Sequence, residues 1–181
     1  MDTGLRPYRQ VQDPPVLVFQ EFLVRRHAQD AVHGVRFEGA AQAEPAPGVL
    51  DAIRGAEAIF IAPSNPIGSI RPILAVPALR AAVLAARVPR IAISPIVDGR
   101  SLQPPAGEMM AGLGYPVDVV GVSRAYAGVI DTLIIDEADG TRALDVQAEG
   151  VRCIVAPTIM RDDATRRALA ATALRAAGVA P

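Results

Sequence analysis

The sequence predicts an α/β fold, a three-layer sandwich built on a mainly parallel sheet. Two observations predict it. From Glu57 onward, short apolar runs rich in β-branched residues recur at 58–62, 90–94, 117–121, 132–136 and 151–156, and the segments between them can be helical. Strands that alternate with helices form βαβ units, which place helices on both faces of a parallel sheet. The second observation is size and composition. At 181 residues, 51% of them hydrophobic, the chain suffices for one full core, and with 4% aromatics that core must be Ala, Val, Ile and Leu. A single α/β domain over 1–181 is therefore expected.

Taken in order, residues 1–15 hold three prolines and no periodicity, and read as an irregular lead-in. Residues 16–24, rich in Val, Leu and Phe, read as a strand. Arg25, Arg26 and His27 follow, either binding an anionic group or forming a solvated loop. A further short strand is expected at 34–39, then a loop at Glu44-Pro45-Ala46-Pro47 and a helix at 48–54. The run 58–62 breaks at Pro63 into Ser64-Asn65-Pro66 and resumes, after Ser69, as an apolar segment with helical potential. The final helix, about 163–177, has Asp162 or Asp163 placed to cap it. No internal repeat is visible. The whole describes a Rossmann-like sheet.

In open parallel sheets, ligands sit outside the carboxyl ends of the strands. Five predicted strand ends carry polar residues: Ser64 and Asn65, Ser94, Ser123 with Arg124, Asp136 with Glu137, and Thr158 with Arg161, Asp162 and Asp163. These five loops are expected to face one crevice. In the first of them, backbone N–H groups at a helix start, beside Ser64, Asn65 and Ser69, can seat a phosphate; the same residues also suit a simple capped turn. Ser64, Asn65, Pro66, Ser69, Ser94 and Arg161 are the candidates for nucleotide and phosphate binding. Asp136 and Asp139 offer oxygens to a hard cation such as magnesium, or an ordinary helix cap.

Composition excludes several classes. All 18 of the Lys and Arg positions are arginine, so P-loop lysine, Schiff-base and Ser–Lys chemistry are ruled out. Cys153 stands alone in an apolar run, which suits a buried inert thiol. His33 has no neighbouring acid or second histidine at ligand spacing, and neither histidine sits in a recognisable triad context. Gly-x-Ser-x-Gly, His-Glu-x-x-His and Cys-x-x-Cys are absent. A net charge of −1 with mixed signs gives no basis for nucleic-acid or membrane binding. With no apolar run of membrane length and no signal-peptide pattern at the start, a cytoplasmic location is expected.

An ordered set of motifs carries a resemblance. Pro63-Ser64-Asn65-Pro66, Ser69-Ile70, Pro72-Ile73-Leu74-Ala75-Val76-Pro77, Ser94-Pro95-Ile96-Val97, Met109-Met110, Ile135-Asp136-Glu137-Ala138-Asp139 and Met160-Arg161-Asp162-Asp163 follow one another, preceded by Phe19-Gln20-Glu21, Val24-Arg25-Arg26 and Arg36-Phe37-Glu38-Gly39-Ala40. From about Val16 on, the chain resembles the 2-phospho-L-lactate transferase family, which includes phosphoenolpyruvate transferases. The resemblance implies a transferase of coenzyme F-420 biosynthesis. Such an enzyme moves a phospholactyl or phosphoenolpyruvyl group from a guanosine-diphosphate-linked donor to the hydroxyl of the deazaflavin Fo, releasing GMP and using magnesium. It also implies departures. Family members begin with a glycine-rich strand–loop–helix in an amino-terminal half of about 130 to 150 residues, and only the carboxyl-terminal portion is matched. That half is where the main metal and deazaflavin contacts are expected, so a homodimer or a separately supplied half becomes a candidate partner. Glu108 and Ala125 stand where relatives usually have lysine and histidine. A non-catalytic nucleotide- or sugar-nucleotide-binding regulator of the same fold is the alternative.

Overall fold

A computed structural model describes residues 16–102 and 104–180, so the expected lead-in 1–15 lies outside the described residues. The first described stretch differs from expectation. Residues 16–24 form no strand; the chain makes a π-type turn at Glu21–Arg25 instead. A strand needs a partner, and here Phe22 is buried in the core with Leu17 and Leu23 packed against that core, while Val16 and Val18 remain 71% exposed. The Phe22 ring lies 6.3 Å from that of Phe19. Residues 34–39 are likewise not a strand. The extended chain before them is committed to side-on packing: a Cβ on Gly112 would collide with the Val32 carbonyl.

Helix α1 (Val49–Arg54) leads into strand β1 (Ile59–Ile61), as expected. A helical turn at Pro66–Ile70 continues directly into α2 (Arg71–Leu74), then α3 (Pro77–Ala85) with a proline at its first position, where the missing N–H costs nothing. Strand β2 (Arg90–Ile93) is followed by a hairpin of β3 (Ile96–Val97) and β4 (Arg100–Ser101), and by helix α4 (Ala106–Gly112). Next comes the clearest correction. Residues 117–121 were expected as a strand, but Val119–Ala125 is helix α5. Asp118 Oδ1 accepts the Gly121 N–H at 2.8 Å, which starts the helix. A short valine-rich run is ambiguous until its ends are placed. Strand β5 (Thr132–Ile135), a 3₁₀ segment (Glu137–Arg142), helix α6 (Ala143–Ala148), strand β6 (Arg152–Val155) and helix α7 (Asp163–Ala176) complete the order.

The four long strands form one parallel sheet, β1-β2-β5-β6. Side-chain alternation divides the core in two. Ala92, Leu133 and Ile135 face the larger cluster with Ile67, Met110, Val119, Val122 and Tyr126. Ile91 and Ile134 face Leu169 and Ala173 of α7 on the other side. Burial of each such Val, Leu or Ile side chain contributes roughly 1.5–3 kcal/mol. At the amino ends of β2 and β5, Arg90 donates from Nε and Nη2 to Asp131 at 3.1 and 2.6 Å, which braces the register. That hydrogen bonding holds the Asp131 carboxyl below its usual range despite partial burial. Among the described residues no single helix is long and apolar enough to cross a membrane.

Candidate functional site

The turn after β1 is organised by one side chain. Asn65 Oδ1 accepts the N–H groups of Ile67 and Gly68, each at 2.9 Å, and its backbone carbonyl accepts those of Ser69 and Ile70 at 2.9 and 3.2 Å. Pro66, buried, fills the first helical position. The N–H groups expected to be free for an anion are therefore turned onto Asn65, and the capped-turn geometry is the one adopted. Asn65 Nδ2 in turn donates to Met109 Sδ at 3.3 Å, tying the turn to α4. Gly68 packs closely under this contact: a Cβ there would lie 3.0 Å from Asn65 Nδ2 and 3.2 Å from Met109 Sδ, so both side chains would have to shift. Ser64 sits half-buried and Ser69 exposed at this edge, and their hydroxyls make no hydrogen bond among the described residues. They are the groups here that can still meet a ligand's phosphate oxygens.

Ser94 follows β2 at the same edge of the sheet, but its hydroxyl is used internally. It is 1% exposed, donates to the Ile96 carbonyl at 2.8 Å and accepts the Ile96 N–H at 3.1 Å. Asp136, after β5, is buried as well. Its Oδ2 accepts the Thr158 N–H and hydroxyl at 2.8 and 2.9 Å, and its Oδ1 the Ala138 N–H at 3.1 Å. Burial opposes the Asp136 charge, yet these bonds and the nearby Arg161 outweigh it and hold the carboxyl below the usual range. Asp139 Oδ2 accepts the Asp98 N–H at 3.1 Å. Burial, reinforced by the charges of Asp136 and Asp98, pushes the Asp139 carboxyl above its usual range against that bond.

Asp136 and Asp139 are the carboxylate pair expected to offer oxygens to magnesium. Both oxygens of Asp136 are already engaged by N–H and O–H donors, and among the described residues no three His, Cys, Asp or Glu side chains converge as metal ligands. The pair does not fit a resident ion on its own. Arg161 is exposed; its backbone N–H donates to Thr165 Oγ1 at 3.0 Å, and its guanidinium makes no ion pair among the described residues. Asp162 completes a capping box with Thr165, whose hydrogen bonds hold the Asp162 carboxyl low.

The structure thus brings four of the five expected loops to one edge of the sheet: those after β1, β2, β5 and β6. The fifth does not join them. Ser123 and Arg124 lie on α5, and Arg124 pairs with Glu149 at 2.7 Å, just ahead of β6 and so towards the amino ends of the strands. Sequence reasoning missed Met109 as the anchor of Asn65 and Asp98 as the donor to Asp139. Neither has a local signal, since both contacts span more than forty residues.

Comparison with known proteins identifies the family. The sequence profile of the family described as 2-phospho-L-lactate transferase CofD matches residues 8–171. A phosphoenolpyruvate transferase of Streptomyces griseus subsp. griseus is 39% identical over 160 residues, covering 88% of this chain and 50% of that protein. Another, of Streptomyces coelicolor, is 41% identical over 149 residues, with 81% and 47% covered. A 2-phospho-L-lactate transferase of Methanothermobacter thermautotrophicus is 38% identical over 151 residues, with 83% and 46% covered. The chain spans about half the length of the curated relatives it matches. With a family profile that runs from before the first described residue into the last helix, across the Asn65 turn and the Asp136 loop, the chain belongs to the 2-phospho-L-lactate transferase family.

Proposed function

We propose that this chain forms the carboxyl-terminal half of a cytoplasmic transferase of coenzyme F-420 biosynthesis. The reaction moves a phospholactyl or phosphoenolpyruvyl group from a guanosine-diphosphate-linked donor to the hydroxyl of the deazaflavin Fo. The acceptor oxygen bonds to the phosphorus that carries the three-carbon acid, the bond from that phosphorus to the bridging oxygen of GMP breaks, and the hydroxyl proton is lost. Catalysis of such a step rests on positioning and on offsetting charge at phosphate oxygens. The observation that carries the reading is the Asn65-held turn at the carboxyl end of β1, lying within a family match over residues 8–171. In this reading Asn65 and Pro66 position the turn, the Ser64 and Ser69 hydroxyls donate to the donor's phosphates, and Arg161 supplies a guanidinium from the β6 side. Ser94 shapes the floor between them. Magnesium enters on the donor's phosphates rather than as an ion held by Asp136 and Asp139 alone.

The engaged carboxylates favour one competing reading, a nucleotide- or sugar-nucleotide-binding regulator that holds its ligand without turnover. Calorimetric titration of the chain with GDP and magnesium, then with Fo, separates the two. GDP binding that gains Fo binding when an amino-terminal half from a relative is added, with GMP released once the guanosine-diphosphate-linked donor is supplied, supports the transferase. GDP binding with no GMP release in that mixture, donor included, supports the regulator. Absence of GDP binding by the folded chain overturns both.

A further inference from the structure

A pocket lies beside the turn that follows β1. It is a cavity of about 310 Å³ between α2 and the end of α5, and Pro66 contributes to its wall. Its chemistry is one-sided. Arg71, Arg80 and Arg124 all line it, with Tyr115 and Tyr126, and no carboxylate does. Three cations around one concavity repel each other, and the cost falls when an anion sits among them. Arg124 is already offset by Glu149, at 2.7 Å. Arg71 and Arg80 have no carboxylate partner among the described residues.

Arg71 is also held in place. Its Nη2 donates to the Tyr115 hydroxyl at 2.8 Å and its guanidinium lies 5.6 Å from the Tyr115 ring centroid. Both contacts are with a neutral group, so they fix the guanidinium's direction while leaving its charge unanswered. A planar fork held this way suits two-point binding of an oxyanion. Tyr126, 2% exposed, lines the same cavity and has a buried hydroxyl without a partner. The volume is at the small end of ligand pockets, enough for a small anion rather than a whole dinucleotide.

We propose that this pocket binds a small oxyanion, a phosphate or carboxylate compound, through Arg71 and Arg80, at a site that shares only its Pro66 wall with the Asn65 turn. The proposal stands independently of the transferase reading. Titration calorimetry at low salt, with inorganic pyrophosphate in one arm and malonate in the other, tests it and decides which oxyanion is preferred. Binding of either, weakened at least tenfold by Arg71→Gln and by Arg80→Gln and unchanged by Ser69→Ala, which removes a hydroxyl of the 64–69 turn without disturbing Pro66, is the expected result. Arg80 is exposed and outside the core, so its variant folds even where loss of the Arg71–Tyr115 contact does not leave a stable chain. Absence of binding at millimolar concentration, or affinity indifferent to Arg80→Gln, overturns the site. Affinity that falls equally in Ser69→Ala puts the anion on the 64–69 turn and overturns it as a separate site.

Discussion

Single residues decide what this edge of the sheet can offer a ligand. Asn65 has both its amide oxygen and its backbone carbonyl committed to the turn, so Asn65→Ala removes a cap and is expected to cost about 1 kcal/mol in urea unfolding, with weaker GDP binding alongside. Unchanged GDP affinity in that variant sinks the phosphate role of the turn. Asp136 and Asp139, three residues apart, respond to acid in opposite directions. Asp136 has a lowered folded pKa, so its stabilisation is complete above the ordinary Asp value of about 3.9 and disappears as pH falls through the folded value. Asp139 has a raised one, so its charge costs stability above the folded value and the cost vanishes as pH falls. Unfolding midpoints from pH 7 to 3 check this. Asp136→Asn is expected to lose about 2 kcal/mol at pH 7, a gap that narrows in acid. Asp139→Asn is expected to match or exceed the parent at pH 7 and to lose any advantage at low pH. Sequence alone located these residues after strands; it did not reveal that Thr158 and Ala138 donate to Asp136, because the Thr158 contact crosses 22 positions.

At the scale of elements, all four strands of the sheet were legible in the sequence, the edge strands β1 and β6 as well as the inner pair. β2 and β5 lie inside the sheet and appear as continuous apolar runs, as parallel strands do. The same composition misled at 117–121, where Val119, Val120 and Val122 are buried because a helix packs on the sheet. Gly121 shows why that helix fits: a Cβ there would run into the Pro116 carbonyl oxygen, a backbone atom that cannot step aside. Gly121→Ala is expected to destabilise the fold by about 3 kcal/mol, read as a lowered urea midpoint with an unchanged slope. If the midpoint holds, the close approach of α5 to the 116 carbonyl is wrong. The two strands expected before Glu57 failed for a different reason. Their hydrophobic patterns had no neighbouring strand to pair with, and Phe22 found the core from a π-type turn instead.

At the scale of the whole molecule, the sheet has two edges left unpaired among the described residues, β1 and β6, each with an exposed apolar side chain: Phe60 and Val155, both 43% exposed. Free edges of this kind invite pairing. Light scattering of the 181-residue chain is expected to show association that grows with concentration, and Phe60→Lys is expected to shift it towards monomer; a monomer at all concentrations contradicts this. By itself the sequence determined the α/β class, five of the elements from β1 to α7 at nearly their observed bounds, and the family, because those follow from hydrophobic period, caps and ordered motifs within short windows. Only the tertiary structure decided the rest. Strand order, the helical state of 119–125, the spent hydrogen-bonding capacity of Ser94 and Asp136, and the gathering of Arg71, Arg80 and Arg124 around one cavity all depend on groups distant in sequence. Their energies come from packing and pairing across the fold, which no local pattern encodes.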